Sequence, residues 1–122
     1  MATFIHMDVP TDNVERAKEF YAGLFGWKFE KPFPDMDYYL YETEGINGEE
    51  GVRGGMGLRG DPGQRITGYI GVPSVDEYID KIKDAGGQTM NKMAVPGWGY
   101  LAICVDTEGN VFGIWEDNKD AK

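Results

Sequence analysis

The feature that most restricts this chain is that it is written twice. Ile5-His6-Met7-Asp8-Val9-Pro10 lines up with Gly68-Tyr69-Ile70-Gly71-Val72-Pro73. In each copy an alternating, strand-like segment ends in Val-Pro and runs into a helical pattern, the mark of an internal repeat. The first helical pattern carries Val14, Ala17, Phe20, Tyr21, Leu24 and Phe25 on one face; the second carries Val75, Tyr78, Ile79, Ile82 and Ala85. Asp12-Asn13-Val14-Glu15 offers the first helix an N-cap with a carboxylate three residues on. Ser74-Val75-Asp76-Glu77 reads as a capping box, Ser74 accepting from an orphan amide while Glu77 reaches back. Gly26 closes the first helix and Gly86-Gly87 the second, where a left-handed residue is wanted. Strand-like pieces follow at 27–30, 38–42 and 55–59, then at 88–90, 100–105 and 111–116. Each half is therefore strand, helix, strand, strand, strand, and each is too short to be stable alone. The expected fold class is α+β: one domain over 1–122, with a first module over about 1–59, a linker at 60–64 and a second module over about 65–118.

Composition narrows the function classes. Apolar residues make up 41% and charged residues 27% of 122, as in ordinary globular chains. No apolar run approaches the roughly 20 residues that cross a bilayer, and the N-terminus shows no secretory signal pattern. The net charge of -9 repels phosphate backbones and anionic lipid, so neither nucleic acid nor membrane is an expected partner. One cysteine, Cys104, forms no internal disulfide and reads as a small buried hydrophobe; the expected compartment is the cytoplasm. One histidine, His6, excludes an all-histidine metal cluster within the chain.

Strand parity sorts the side chains into two faces. Ile5, Met7, Val9, Met56, Leu58, Ile70, Val72, Leu101, Ile103, Val105, Phe112 and Ile114 form an apolar set expected under the helices. The opposite parity gives His6, Asp8, Gly55, Gly57, Arg59, Tyr69, Gly71, Tyr100, Ala102, Cys104, Gly113 and Trp115, with Tyr39 and Tyr41 joining them on the evidence of Leu40. This second face mixes glycines, aromatics and few polar groups. Either aromatic rings lie over the glycines, or the glycines leave a concave pocket with aromatic walls.

The paired modules resemble the vicinal oxygen chelate superfamily, which contains glyoxalase, bleomycin-resistance proteins and extradiol dioxygenases. The resemblance is carried by Phe4-Ile5-His6, by Glu15 to Tyr21 running into Leu24-Phe25-Gly26-Trp27, by Asp84-Ala85-Gly86-Gly87, and by 106–116. It implies a curved, half-open sheet around a cavity, helices outside, and a homodimer. It also implies four metal-ligand positions, typically His, Glu, His and Glu, which fall here on His6, Gly57, Tyr69 and Gly113. Only His6 keeps a usual ligand type, so no metal and no cofactor are expected.

The leading expectation is a metal-free protein that binds a small, partly aromatic or apolar molecule. His6, Tyr39, Arg59, Tyr69, Trp98, Tyr100 and Trp115 are the expected ligand-binding residues, and His6 is the one candidate for proton handling. Two alternatives stand beside it: a metal-dependent lyase, isomerase or dioxygenase that recruits atypical ligands such as Asp8 or Glu42, and a structural dimeric domain with a closed cavity.

Overall fold

A computed structural model describes residues 2–122. The chain forms two compact units, one of Ile5–Ile66 and one of Thr67–Lys122 together with the N-terminal residues through Phe4. The first unit is built from β1 (Phe4–Thr11), α1 (Val14–Phe25), β2 (Lys28–Glu30), β3 (Tyr38–Glu42) and β4 (Gly54–Leu58). In it β1 runs parallel to β4, β4 antiparallel to β3, and β3 antiparallel to β2. The second is built from β5 (Thr67–Gly71), α2 (Val75–Asp84), β6 (Gln88–Thr89), β7 (Met93–Val95), β8 (Gly99–Val105) and β9 (Val111–Asp117). Here β5 runs parallel to β9 and β9 antiparallel to β8, while β6 and β7 pair with opposite ends of β8. The duplicated sequence has thus become a duplicated topology of α+β type, βαβββ in the first unit and the same order with one extra short strand, β7, in the second. The sequence pattern does not mark β7, a three-residue strand between the expected pieces.

The helix ends follow from their residues. Asn13, rather than Asp12, caps α1, its side chain accepting from the Arg16 amide at 3.0 Å. Gly26 ends α1 at φ 73°, and its amide bonds Ala22 O at 3.0 Å, the left-handed closure that glycine permits without a Cβ clash. Ser74 caps α2 by accepting from the Glu77 amide at 3.2 Å. The reciprocal half of the expected capping box is replaced. Glu77 pairs forward with Lys81 at 3.1 Å, and the Val75 amide is met by Glu116 of β9 at 2.9 Å.

Each unit has its own core on the side of its sheet that the helix covers. In the first, Val9, Val14, Tyr41 and Met56 are buried, with Ala17, Tyr21, Trp27, Phe29 and Tyr39 packed against them. Trp27 is stacked between Tyr21 and Tyr41, at 4.6 Å to each ring centroid. Tyr41 then crosses Gly54 to donate its hydroxyl to Met7 O at 2.7 Å. A Cβ at Gly54 would stand 2.3 Å from that hydroxyl oxygen, so glycine there is a packing requirement. In the second unit Val72, Val75, Ala102, Cys104 and Ile114 are buried beneath α2, with Tyr78, Ile79 and Ile82 closing over them.

Two strands reverse the expected parity. In β3, Tyr39 and Tyr41 face α1, and register puts Tyr38 and Leu40 on the other face, opposite Gly57 and Gly55. In β8, Tyr100, Ala102 and Cys104 lie on the α2 side, and Leu101 and Ile103 share the opposite face with Trp115 and Gly113. The reasons are physical. A tyrosine satisfies its hydroxyl at the edge of a core, as Tyr41 does on Met7 O, and so counts as an apolar residue there. Where a helix lies close on a sheet, small side chains fit better than large ones; Ala102 and Cys104 have no exposed surface.

Burial, with smaller contributions from Asp8 and Tyr21, pushes the Tyr41 phenol up to about 12. An unfolded phenol titrates near 10. A group whose folded value is raised adds stability that is complete below the unfolded value and lost as pH rises through the folded one. The denaturant midpoint should therefore fall between about pH 10 and pH 12, and Tyr41→Phe should flatten part of that fall. An unchanged slope in the variant would show that Tyr41 does not carry it.

Candidate functional site: a cavity on the first sheet

The face of the first sheet turned away from α1 carries His6, Asp8 and Pro10 from β1, Gly55 and Gly57 from β4, and Tyr38 and Leu40 from β3. Asp8 pairs with Gly55 and Pro10 with Gly57 across the parallel ladder, and Tyr38 stands opposite Gly57 across the antiparallel one. The two glycines let the Tyr38 ring lie down on the sheet. A Cβ at Gly57 would come 2.9 Å from its Cδ2, and one at Gly55 would overlap its hydroxyl while standing 3.1 Å from Asp8 Oδ1. The Tyr38 phenol is held well above its ordinary range, first by burial and then by the Asp8 carboxylate. His6 Nε2 is 2.6 Å from Asp8 Oδ1, an i,i+2 contact that the strand's period of two puts on one face.

Beside these groups lies a cavity of about 350 Å³. Asp8, Pro10, Tyr38, Gly55 and Gly57 form its floor and back, and Met36, Asp37, Leu58 and Gln64 its rim. A second concavity of about 480 Å³ lies where α1 ends, lined by Lys28, Glu42, Glu50 and Arg53 among others. Its charges already answer one another in part, Arg53 meeting Glu50 at 3.1 Å.

The expected ligand-binding residues divide. His6 lies on the glycine face of the first unit, joined to Asp8. Arg59 sits near the cavity's end but is committed, its Nε 3.2 Å from Asp12 and its Nη1 donating to Gln64 O. Tyr39 is on the helix side, its hydroxyl donating to Glu15 at 2.6 Å with Lys18 over its ring. In the second unit Tyr69 and Trp115 lie on the glycine face. The Tyr69 ring covers Gly113, where a Cβ would stand 2.3 Å from it; the Trp115 ring covers Gly99 and its Nε1 donates to Asp117 at 2.7 Å. Tyr100 is on the helix side beneath Lys92, 4.2 Å from the ring centroid. Trp98 sits in the β7–β8 turn, about half exposed, after Gly97 at φ 79°. The assignment of Tyr39 and Tyr100 to the glycine face is thereby corrected. Tyr38, Met36 and Asp37 were not singled out from the sequence; the reversed parity of β3 hid the first, and a Pro- and Asp-rich loop without periodicity gave no signal for the others.

The fold and this face define the class: proteins made of paired βαβββ modules that present a glycine- and aromatic-lined sheet face. Residues 3–43 match the family model described as Bleomycin resistance protein-like N-terminal. Over 118 residues the chain is 30% identical to the glyoxylase-named protein CFP32 of Mycobacterium tuberculosis, a match covering 93% of this chain and 45% of that one. The chain thus spans a little under half the length of these mycobacterial relatives. A glyoxylase-like domain-containing protein of Didymella fabae is 29% identical, with 88% of each chain covered. Among solved structures, a glyoxalase/bleomycin resistance protein/dioxygenase superfamily member from Vibrio splendidus superposes with a TM-score of 0.62 at 11% identity, covering 97% of this chain and all of that one. These likenesses, a family model over the first third of the chain, glyoxylase-named relatives and a shared fold, agree with the resemblance to the glyoxalase/bleomycin resistance/dioxygenase superfamily.

The metal implied by the superfamily resemblance does not fit the residues present. At the four corresponding positions, His6 is engaged by Asp8, Gly57 and Gly113 have no side chain, and the position of a Cβ at Gly113 is overlapped by the Tyr69 ring. Tyr69 stands at a histidine position, where a neutral phenol is a poor replacement, and the two carboxylates lost at Gly57 and Gly113 would also have balanced the cation's charge. Among the described residues no three His, Cys, Asp or Glu side chains are grouped to hold an ion. Nor, among them, is any helix long and apolar enough to cross a membrane.

Proposed function

We propose that this chain is a small-molecule-binding member of its superfamily that works without the family metal, and that the ligand sits in the first-unit cavity. The observation that supports this most is the cavity itself: about 350 Å³, opening over a sheet face where Gly55 and Gly57 remove side chains and Tyr38 supplies an aromatic wall. Apolar walls with a few polar groups are the ordinary makeup of small-molecule sites. A ring stacked on Tyr38 adds on the order of 1 kcal/mol beyond the area it buries. His6 and Asp8 are the polar pair that orients what binds. Cys104 lies buried beneath α2 in the second unit, its thiol pushed up by burial, away from this cavity's lining residues.

The test is a set of monocyclic aromatic fragments, followed by amide chemical shifts. Binding should move the Gly55 and Gly57 amides. Leu58→Trp, at an exposed rim position, should abolish those movements while leaving the melting temperature within about a degree, as surface changes generally do. Shifts that cluster on another surface, or that persist in Leu58→Trp, would place the site elsewhere.

A further inference from the structure

The cavity's lining specifies the charge of its ligand; this inference rests on the reading of that cavity as the binding site. Two of its side chains are carboxylates, Asp8 and Asp37, one is an amide, Gln64, and one a phenol, Tyr38; none is Lys or Arg. The nearby cation Arg59 is spent elsewhere, held by Asp12 and by the Gln64 carbonyl. His6 Nε2 meets one oxygen of Asp8, Oδ1, at 2.6 Å. Asp8 keeps about a third of its side-chain surface exposed, so its charge is available to the cavity. The rest of the wall is apolar or aromatic: Pro10, Met36, Leu58 and the Tyr38 ring.

These groups select against anions and for cations. A carboxylate ligand would meet two like charges with no donor cation to answer them, and like charges brought together repel. A protonated amine meets two acceptors, and a phenol face attracts a cation through its quadrupole. The net charge of -9 raises the local concentration of cations around the whole chain. We propose that the cavity takes a small cationic amphiphile, a protonated amine on an aromatic or apolar body, with the ammonium against Asp8 and Asp37 and the body against Tyr38, Met36 and Leu58.

Three probes of one shape and different charge decide the matter: 2-phenylethylammonium, 2-phenylethanol and 3-phenylpropionate, titrated into the whole chain at pH 7.5 while the Gly55 and Gly57 amides are followed. The ammonium should bind about tenfold or more tightly than either of the others, and added salt should weaken it alone. Asp8→Asn and Asp37→Asn should each cost the ammonium about tenfold and leave the alcohol unaffected. Asp37 is exposed, so its variant keeps the test open if Asp8→Asn, which also removes the partner of His6, fails to fold. If the alcohol or the carboxylate binds as well as the ammonium at the same amides, the cation assignment is overturned and the cavity remains the site. If none of the three moves those amides at about 20 mM, far above ordinary weak fragment affinities, both readings fall together.

Discussion

Replacing Gly113 with alanine should destabilise the protein by about 1–3 kcal/mol, the usual cost of forcing an extra group into a filled site. Strand propensity alone predicts the opposite sign, since an interior glycine weakens a strand and alanine restores some of the lost entropy. The ring of Tyr69 decides between them. A Cβ on Gly113 would stand 2.3 Å from Cδ2 and Cε2 and 2.9 Å from Cγ of that ring. Tyr69 is only 7% exposed, and Cγ is the fixed end of the ring rather than a flexible tip, so the clash is not relieved by a small swing. Register makes the contact unavoidable, because Tyr69 and Gly113 are direct partners in the parallel β5–β9 ladder. The check is a double-mutant cycle. Tyr69→Leu should lose stability through lost packing, but the combination with Gly113→Ala should cost less than the sum by about 1 kcal/mol or more. Additive costs would show that the ring and the glycine are not coupled, and a stabilising Gly113→Ala would show that the space is open.

That result also bears on how the glycines are to be read. From the sequence they stood for either a void or a bed for aromatic rings. In both units rings approach the space that glycine side chains would need: Tyr38 at Gly55 and Gly57, Tyr69 at Gly113, Trp115 at Gly99. The rings come from the same unit as the glycines they cover, which spacing along the chain does not reveal but ladder register does. Open volume in the first unit lies beside Tyr38, not in place of the glycine side chains.

The duplication, both helices and most strands were legible because their signals are local. Asn13 and Ser74 cap, Gly26 and Gly86 take positive φ, and the apolar spacing repeats at helical period. The faces of β1, β4, β5 and β9 were legible too, where aliphatic residues alternate with glycine or polar ones, except that Ile5 and Leu58 are exposed rather than under a helix, Leu58 at the cavity rim. Parity failed in β3 and β8 because both faces there offer apolar residues. Leu101 and Ile103 look more like core than Ala102 and Cys104, and only the closeness of α2 reverses the choice. The site was half legible on the same grounds. His6 and Asp8 follow from a period of two along β1, and Gly55 and Gly57 from β4. Tyr38, Met36 and Asp37 depend on a strand with misleading parity and a loop with none.

The second large effect is expected at Met56. Met56→Ala should lower stability by about 2–5 kcal/mol, the range for removing a long buried side chain and leaving a cavity. Met56 has no exposed surface, and its register partners are Val9 on β1 and Tyr39 on β3. Val14 of α1 belongs to the same buried cluster, and the Tyr21–Trp27–Tyr41 stack stands beside it. Three stacked rings held on both sides cannot collapse readily into the gap, which argues for the upper half of the range. Leu58, two residues further along the same strand, is 57% exposed, and Leu58→Ala should cost under about 0.5 kcal/mol. The comparison has a functional arm. Gly55 and Gly57 flank Met56 but face the other side of the sheet, so fragment-induced shifts at their amides should survive Met56→Ala at temperatures where the variant is folded. Chemical denaturation of the two variants, with amide shifts recorded on each, measures both. If Met56→Ala cost no more than Leu58→Ala, the helix-side core would not be where the buried surface places it. If it abolished fragment binding while folded, the two faces of the sheet would not be separable into core and site.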